Sequence, residues 1–163
     1  MKRLFILSLL LFGSFGYCLN AQQAPIGISI DDVKVQEGEQ VCLPVHLFNF
    51  RNMLSMQYTI KFDPEVLTFV GVIDQQLPYM NTSNFGLHNA QKGEITVVWI
   101  DNSLQGVTKA EGDSAFTLCF RVKGETGTQT EITFTDQPTP FESVNVNEQV
   151  IPINTKKSTL KIQ

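Results

Sequence analysis

The stretch from Leu54 to Leu67, LSMQYTIKFDPEVL, carries the strongest structural signal in the chain. The run LSMQYTIKF alternates apolar and polar side chains, which is typical of a β-strand with one buried and one solvated face. The turn-forming pair Asp63-Pro64 ends this strand, and a second apolar run begins at Val66. The stretch from Lys92 to Asn102, KGEITVVWIDN, alternates in the same way around Trp99. Both stretches predict half-buried strands.

The rest of the chain has the same character. Its apolar runs are short, rich in β-branched and aromatic residues, and separated by Gly, Pro, Asn and Asp, which favours an all-β sandwich. We predict nine strands in two sheets with jelly-roll-like topology and no helix. The predicted strands are 28–35, 40–48, 54–62, 66–73, 84–89, 94–100, 115–123, 130–135 and 157–162, with a short extra strand at 148–153. The connection 137–147 is predicted to be an irregular loop because it contains Pro138 and Pro140.

Strand alternation also predicts the core, because residues two apart on a strand share a face. The residues expected inside are Val41, Leu43, Val45, Met56, Tyr58, Ile60, Phe62, Leu67, Ile95, Val97, Trp99, Phe116, Leu118 and Phe120.

The N-terminus has the pattern of a secretory signal peptide, which we place at residues 1–21. Lys2 and Arg3 precede the apolar run Leu4 to Phe12, which is shorter than the ~20 residues that a membrane helix needs. An alternative is lipidation of Cys18, although Tyr17 stands where a small residue is usual. Cleavage before residue 22 leaves 22–163, enough for a single domain. We therefore expect a secreted or cell-surface protein.

The charge balance and the titratable residues exclude several functions. The formal charge of −4, which becomes more negative once Lys2 and Arg3 are removed, disfavours nucleic acid. The two histidines, His46 and His88, lie in no recognisable hydrolase or metal motif. Four residues that flank one loop have oxygen ligands suited to calcium, but their spacing matches no known loop: Asp101, Asn102, Glu111 and Asp113. We predict no catalytic residue, no metal and no cofactor.

The Leu54–Leu67 stretch resembles the third and fourth strands of cohesin domains. Cohesins are the β-sandwich receptors that hold dockerin modules in bacterial cell-surface enzyme complexes. Gly38-Glu39 and the run from Val41 to Val45 resemble the opening strands of that family, and Ala115 to Val122 resembles the seventh strand. The resemblance extends from Ile28 to Ile162. It implies a protein that acts by binding a partner and not by chemistry.

The same resemblance implies a binding site on the exposed face of the third and sixth strands. It implies noncovalent binding of a dockerin-like module whose paired helices carry calcium. The contact positions carried over by position are Ser55, Gln57, Thr59, His88, Asn89, Thr96, Val98 and Asp101. Gln57 replaces the aspartate that is common in one cohesin class. Alternation independently turns Val98 outward, opposite to the buried Trp99.

The resemblance also makes the strands that carry Cys42 and Cys119 neighbours in one sheet. Alternation turns both side chains outward, and export favours a disulfide between them. The alternative is two small strand residues that never meet.

Two other functions remain open at this point. A carbohydrate-binding or adhesion module that recognises polysaccharide would need exposed flat rings, and Tyr79, Phe85 and Phe141 lie in or near loops. An exported enzyme of unrecognised type is the other alternative, and no motif supports it.

Overall fold

The computed structural model describes residues 23–163, so the predicted signal peptide and Cys18 lie outside the described residues. Twelve strands and two short 3-10 helices, Thr82–Asn84 and Ala90–Lys92, make up this part of the chain. The strands are β1 (Ile26–Ser29), β2 (Val33–Val35), β3 (Gln40–Phe48), β4 (Met53–Phe62), β5 (Leu67–Ile73), β6 (Phe85–Gly86), β7 (Glu94–Ile100), β8 (Ser114–Val122), β9 (Gln129–Thr135), β10 (Glu142–Asn145), β11 (Ile153–Lys156) and β12 (Ser158–Ile162).

The strands form the predicted two-sheet sandwich. One sheet has the order β11-β1-β3-β8-β5, and the other has the order β2-β12-β9-β4-β7-β6, with β10 also paired to β4. Both terminal segments pass from one sheet to the other, since β1 and β11 pair in the first sheet while β2 and β12 pair in the second. The first crossing divides the predicted strand 28–35 into β1 and β2, and the second separates β12 from β11, which shares only Ile153 with the predicted extra strand. The fold class is confirmed, and the strand boundaries need three further corrections.

The predicted strand 84–89 is shortened to Phe85–Gly86 by the flanking 3-10 helices. The predicted loop 137–147 contains β10, which pairs antiparallel with β4. The predicted extra strand 148–153 is mainly the return of a tight turn, with one bridge from Val150 to Val144. Each error lies where a pairing too short for a periodic pattern is decided by tertiary contacts.

The core between the sheets is the one that alternation predicts. Of the predicted core residues, only Val41 is half-buried, and all others are buried. Trp99 lies at the centre with no exposed surface, and its indole Nε1 donates a hydrogen bond to the carbonyl oxygen of Pro78 at 2.8 Å. This contact satisfies the buried N–H and ties the β5–β6 connection to β7.

The disulfide is confirmed. Cys42 on β3 lies directly opposite Cys119 on β8, with their Cα atoms 4.1 Å apart. Cys42 is exposed, whereas Cys119 is buried on the same outer side. The bridge belongs to the five-stranded sheet, so it lies on the sheet opposite the predicted binding face.

In the described part of the chain, no helix has the length and apolar character that crossing a bilayer requires.

Candidate functional site

The predicted binding residues on β4 and β7 lie side by side on the outer face of the second sheet. The two strands pair antiparallel so that Gln57 is directly opposite Val98 and Ser55 is directly opposite Ile100. Directly opposite residues share a face of the sheet. Val98 is 41% exposed and Ile100 is 50% exposed, although both are large apolar residues. Alternation therefore predicts the orientation of these four side chains correctly.

Strand β10 extends this face on the other side of β4. Glu142 lies directly opposite Gln57, and Val144 lies directly opposite Ser55. Val144 is bridged in turn to Val150, which is 65% exposed. We call this surface the β4–β7–β10 face and define it by Ser55, Gln57, Val98, Ile100, Glu142 and Val144.

Sequence reasoning missed the β10 contribution. The run FESVNV, from Phe141 to Val146, alternates apolar and polar residues and carried the signal of a short strand. The preceding Pro138 and Pro140 favoured a loop for the whole segment. In the structure these prolines lie before the strand and do not interrupt it.

One end of the face is closed by the chain itself. The loop between β9 and β10, residues 136–141, crosses over β4 at Thr59. The Thr59 hydroxyl donates to the carbonyl oxygen of Thr139 at 3.1 Å and accepts from its backbone N–H at 3.0 Å. Thr59 is consequently fully buried, and its partner Thr96 is half-buried. The prediction that Thr59 presents its side chain to a partner is corrected.

Asp101, which follows β7 at its other end, is also buried. Its carboxylate oxygens already accept hydrogen bonds from the chain itself. Its carboxylate accepts hydrogen bonds from the Ser103 hydroxyl at 2.7 Å, the Ser103 N–H at 3.0 Å, the Gln105 N–H at 3.1 Å and the Gly106 N–H at 2.8 Å. The Ser103 hydroxyl is the largest influence that lowers the pKa of Asp101, and the backbone N–H groups add to it against the opposing effect of burial. Asp101 organises the loop 101–106, so the prediction that it is a rim contact is corrected.

His88 and Asn89 lie at the closed end of the face. His88 is exposed, whereas Asn89 donates from Nδ2 to Glu94 Oε1 at 3.0 Å. Glu94 also pairs with Lys61 across the sheet at 3.6 Å. Six strand residues, about 20 Å, separate Glu94 from Ile100. The structure therefore does not bring His88 and Asn89 together with the exposed apolar residues.

The other end of the face, where β7 ends at Ile100, is not covered by the loop 136–141, and we call it the open end. Exposed apolar residues concentrate there. Three large apolar side chains border the face there, in addition to Val98, Ile100 and Val150: Tyr79, Leu104 and Val146, which are 54%, 66% and 36% exposed. Val146 packs against Gly106, where an added Cβ would lie 2.3 Å from Val146 Cγ1. Exposed apolar side chains that cluster in one region of a surface mark an interaction site more often than scattered single residues do.

The carboxylates considered for calcium do not converge. Glu111 accepts from the Asn49 N–H at 3.1 Å, and Asp113 pairs with Lys109 at 3.5 Å. Within residues 23–163, no group of three or more His, Cys, Asp or Glu side chains is placed to hold a metal ion.

Two of the three aromatic side chains considered for sugar binding are buried or half-buried. Phe85 is buried and packs edge-on against Phe116 with the ring centroids 4.9 Å apart, and Phe141 is half-buried. Tyr79 alone of the three is exposed. It borders a depression of about 270 Å³ whose lining includes Asn81, Asn84, Val98 and Ile100.

Comparison with known proteins identifies the class. The family model described as cohesin domain matches residues 26–158, which is most of the chain and all but the last strand of the sandwich. The chain belongs to the cohesin family, a family of non-enzymatic protein-binding modules. Among curated proteins, no match was found.

Solved structures of cohesins share this fold. The OlpA cohesin of Clostridium thermocellum, solved in a type I cohesin–dockerin complex, is 16% identical with a TM-score of 0.72, and the match covers 85% of this chain and 99% of that chain. The OlpC cohesin of the same organism, also solved with a dockerin, is 17% identical with a TM-score of 0.72, with 87% and 96% covered. A non-cellulosomal cohesin from the archaeon Archaeoglobus fulgidus is 21% identical with a TM-score of 0.65, with 86% and 92% covered.

Proposed function

We propose that this protein is a secreted or cell-surface cohesin that binds a dockerin-like module noncovalently through the β4–β7–β10 face. The observation that carries the proposal is the outward exposure of Val98 and Ile100, which lie between the polar side chains of β4 on one side and Asn81 and Asn84 on the other. An apolar centre with a polar rim is the usual anatomy of a protein interface. The family and the complexes of its solved relatives supply the kind of partner.

The contact set differs from the one that position alone implied. Ser55, Gln57 and Val98 remain from the predicted set, and Ile100 from β7 and Glu142 and Val144 from β10 are added. Thr59 and Asp101 are left out because both are buried, and the remaining positions that were carried over, His88, Asn89 and Thr96, are peripheral.

Export is supported by two features. The pattern of residues 1–21 is that of a signal peptide, and a disulfide joins Cys42 to Cys119. Structural disulfides persist in oxidising compartments outside the cytosol. We place calcium on the partner, because three of the four side chains considered for calcium are already engaged: Asp101 and Glu111 by backbone N–H groups and Asp113 by Lys109.

The test is calorimetric titration of the purified domain with a panel of calcium-loaded dockerin modules. Val98→Asp is expected to weaken binding by about tenfold or more, because it places a charge among the exposed apolar side chains of the face. Val70→Asp is the matched control: Val70 is 50% exposed, against 41% for Val98, but it lies on β5 in the opposite sheet. Equal binding by wild type and Val98→Asp, with the fold intact, would place the site elsewhere.

A polysaccharide-binding role has one observation in its favour, the exposed ring of Tyr79 beside Asn81 and Asn84. Rings on which sugars stack are usually presented in sets, and this one stands without a second exposed ring in its depression. A polysaccharide panel run beside the dockerin panel separates the two roles: sugar binding that is lost in Tyr79→Ala and kept in Val98→Asp would support the carbohydrate function.

A further inference from the structure

The strands of the β4–β7–β10 face and the segment that contains β10 have few basic residues, and Arg51, which closely precedes β4, is paired with Glu111. In the sequence from Gly124 to Thr155 there is no Lys, Arg or His. The acidic residues of the same segment are Glu125, Glu131, Asp136, Glu142 and Glu148. Strands β4, β6, β7 and β10 carry a single basic residue, Lys61, and it is paired with Glu94 at the closed end.

Glu142 is the carboxylate placed on the face itself. It is exposed and stands directly opposite Gln57, which is directly opposite Val98. Within the part of the chain that the structure describes, the Glu142 side chain has no ion pair. By contrast, Glu94, Glu111, Asp113 and Glu131 each have a basic partner. The face therefore presents an uncompensated negative charge beside its exposed apolar residues.

The spacing of these groups along the strands indicates the kind of partner segment that fits the face. The next row of the face, two residues along each strand, places Ile100, Ser55 and Val144 side by side, with Val150 beyond them. Two residues along a strand span about 7 Å. This distance is close to one turn of an α-helix, whose side chains at i and i+4 lie on one face.

The closed end restricts where a partner can lie. The loop 136–141 covers β4 at Thr59, while the surface toward Ile100 and Val150 is open. A helix laid on the face is therefore confined to the open end, with its apolar side chains on the Ile100 row and the next turn over Gln57 and Glu142.

We propose that the partner segment is a helix that presents an apolar side chain and, one turn away, a lysine or arginine, and that Glu142 receives this cation. The inference rests on the proposed function of the face and adds the chemistry of the partner. Opposite charges across an interface act on orientation and association rate as well as on affinity.

The experiment compares three variants against a dockerin from the panel that binds the wild-type domain. Glu142→Lys is expected to weaken binding by about tenfold, with a smaller loss for Glu142→Gln, and the loss is expected to shrink in high salt because the ions screen the charges. Glu65→Lys is the matched control: Glu65 is also exposed, has no ion pair among residues 23–163, and lies in the turn after β4. Replacing the basic residue of the dockerin by glutamate should restore affinity for Glu142→Lys.

The outcomes separate the two proposals. Unchanged affinity of Glu142→Lys, in a domain whose Val98→Asp variant has lost binding, would overturn the charge pairing and leave the docking face standing. Equal losses in Glu142→Lys and Glu65→Lys would show a general charge effect and would also overturn it. If neither Val98→Asp nor Glu142→Lys changes affinity, or if every dockerin in the panel fails to bind, the proposed function fails as well.

Discussion

At the scale of single residues, the core formed by residues 23–163 contains one buried side-chain polar atom without a hydrogen-bond partner. The Tyr58 hydroxyl is buried and has no hydrogen-bond partner, and burial raises the pKa of Tyr58. An unsatisfied buried hydroxyl costs free energy, whereas the ring itself packs edge-on against Phe134 with the centroids 5.7 Å apart. The ring stabilises the core and the hydroxyl does not.

Tyr58→Phe is therefore expected to leave the free energy of unfolding unchanged or to raise it by about 1 kcal/mol. Urea unfolding monitored by fluorescence measures the difference. Trp99→Phe serves as the contrasting variant, because it removes a donor that is satisfied by Pro78 and is expected to lower stability. A clear loss of stability in Tyr58→Phe would mean that the hydroxyl is hydrogen-bonded in solution.

Asp101 links the stability of the domain to pH. Since the pKa of its carboxyl is lower in the folded protein than in the unfolded chain, the folded state favours the charged form. This contribution to stability is fully present above the unfolded pKa of about 4 and is lost as the pH falls through the folded value.

Asp101→Asn is thus expected to flatten the acid limb of the stability curve and to lower stability near neutral pH. Unfolding free energies measured between neutral pH and about pH 3 test this. The exposed residue Asp136, changed to Asn, provides the control and should retain the steep acid limb. Parallel stability curves for wild type and Asp101→Asn would show that Asp101 does not contribute to the pH dependence of stability.

At the scale of elements, the side chain of Thr59 bonds the connection between β9 and β10 to β4. Both hydrogen bonds between Thr59 and Thr139 use the Thr59 hydroxyl and the Thr139 backbone. Thr59→Val removes both bonds while it keeps the shape of the side chain, and Thr139→Ala removes neither.

We expect Thr59→Val to destabilise the domain by about 1–3 kcal/mol and to speed hydrogen exchange at the Thr139 amide. Thr139→Ala should change both quantities little. The loop would be held by other contacts if the two variants behaved alike.

The disulfide between Cys42 and Cys119 is a second link between elements, and it joins β3 to β8. It closes a segment with a sequence separation of 77 between the central strands of the sheet opposite the binding face. On the chain-entropy model, replacing Cys42 and Cys119 together by alanine should cost about 4 kcal/mol of stability. Since the bridge is remote from the β4–β7–β10 face, dockerin affinity of the folded double variant should be unchanged. Two free thiols in the unreduced wild type would contradict the bridge.

At the scale of the whole molecule, the parts that the sequence predicts are those with a long regular pattern. The alternation around Met56 and Trp99 predicts the inner and outer faces of β4 and β7, because a strand with one buried side cannot slip by one residue without exposing its core. The disulfide follows from the same alternation once the two strands are neighbours.

The parts that were missed depend on contacts between distant segments. Thr59 has the alternation of an exposed residue, and only the crossing of the loop at Thr139 buries it. Asp101 looks like a free rim carboxylate in the sequence, and only the fold of the loop 101–106 shows that its oxygens are occupied. Position-by-position transfer from a family carries a residue to its strand but not to its local partners.

At this scale, we propose that the β4–β7–β10 face docks a partner module. The most direct test is a methyl NMR titration of the domain with a dockerin from the panel that binds it. We expect chemical-shift changes at the methyl groups of Val98, Ile100 and Val144, and none at Val70 and Ile73, which are equally accessible on β5 of the opposite sheet. Shifts at Val70 and Ile73 with unchanged signals from Val98 and Ile100 would show that the partner docks on the opposite sheet.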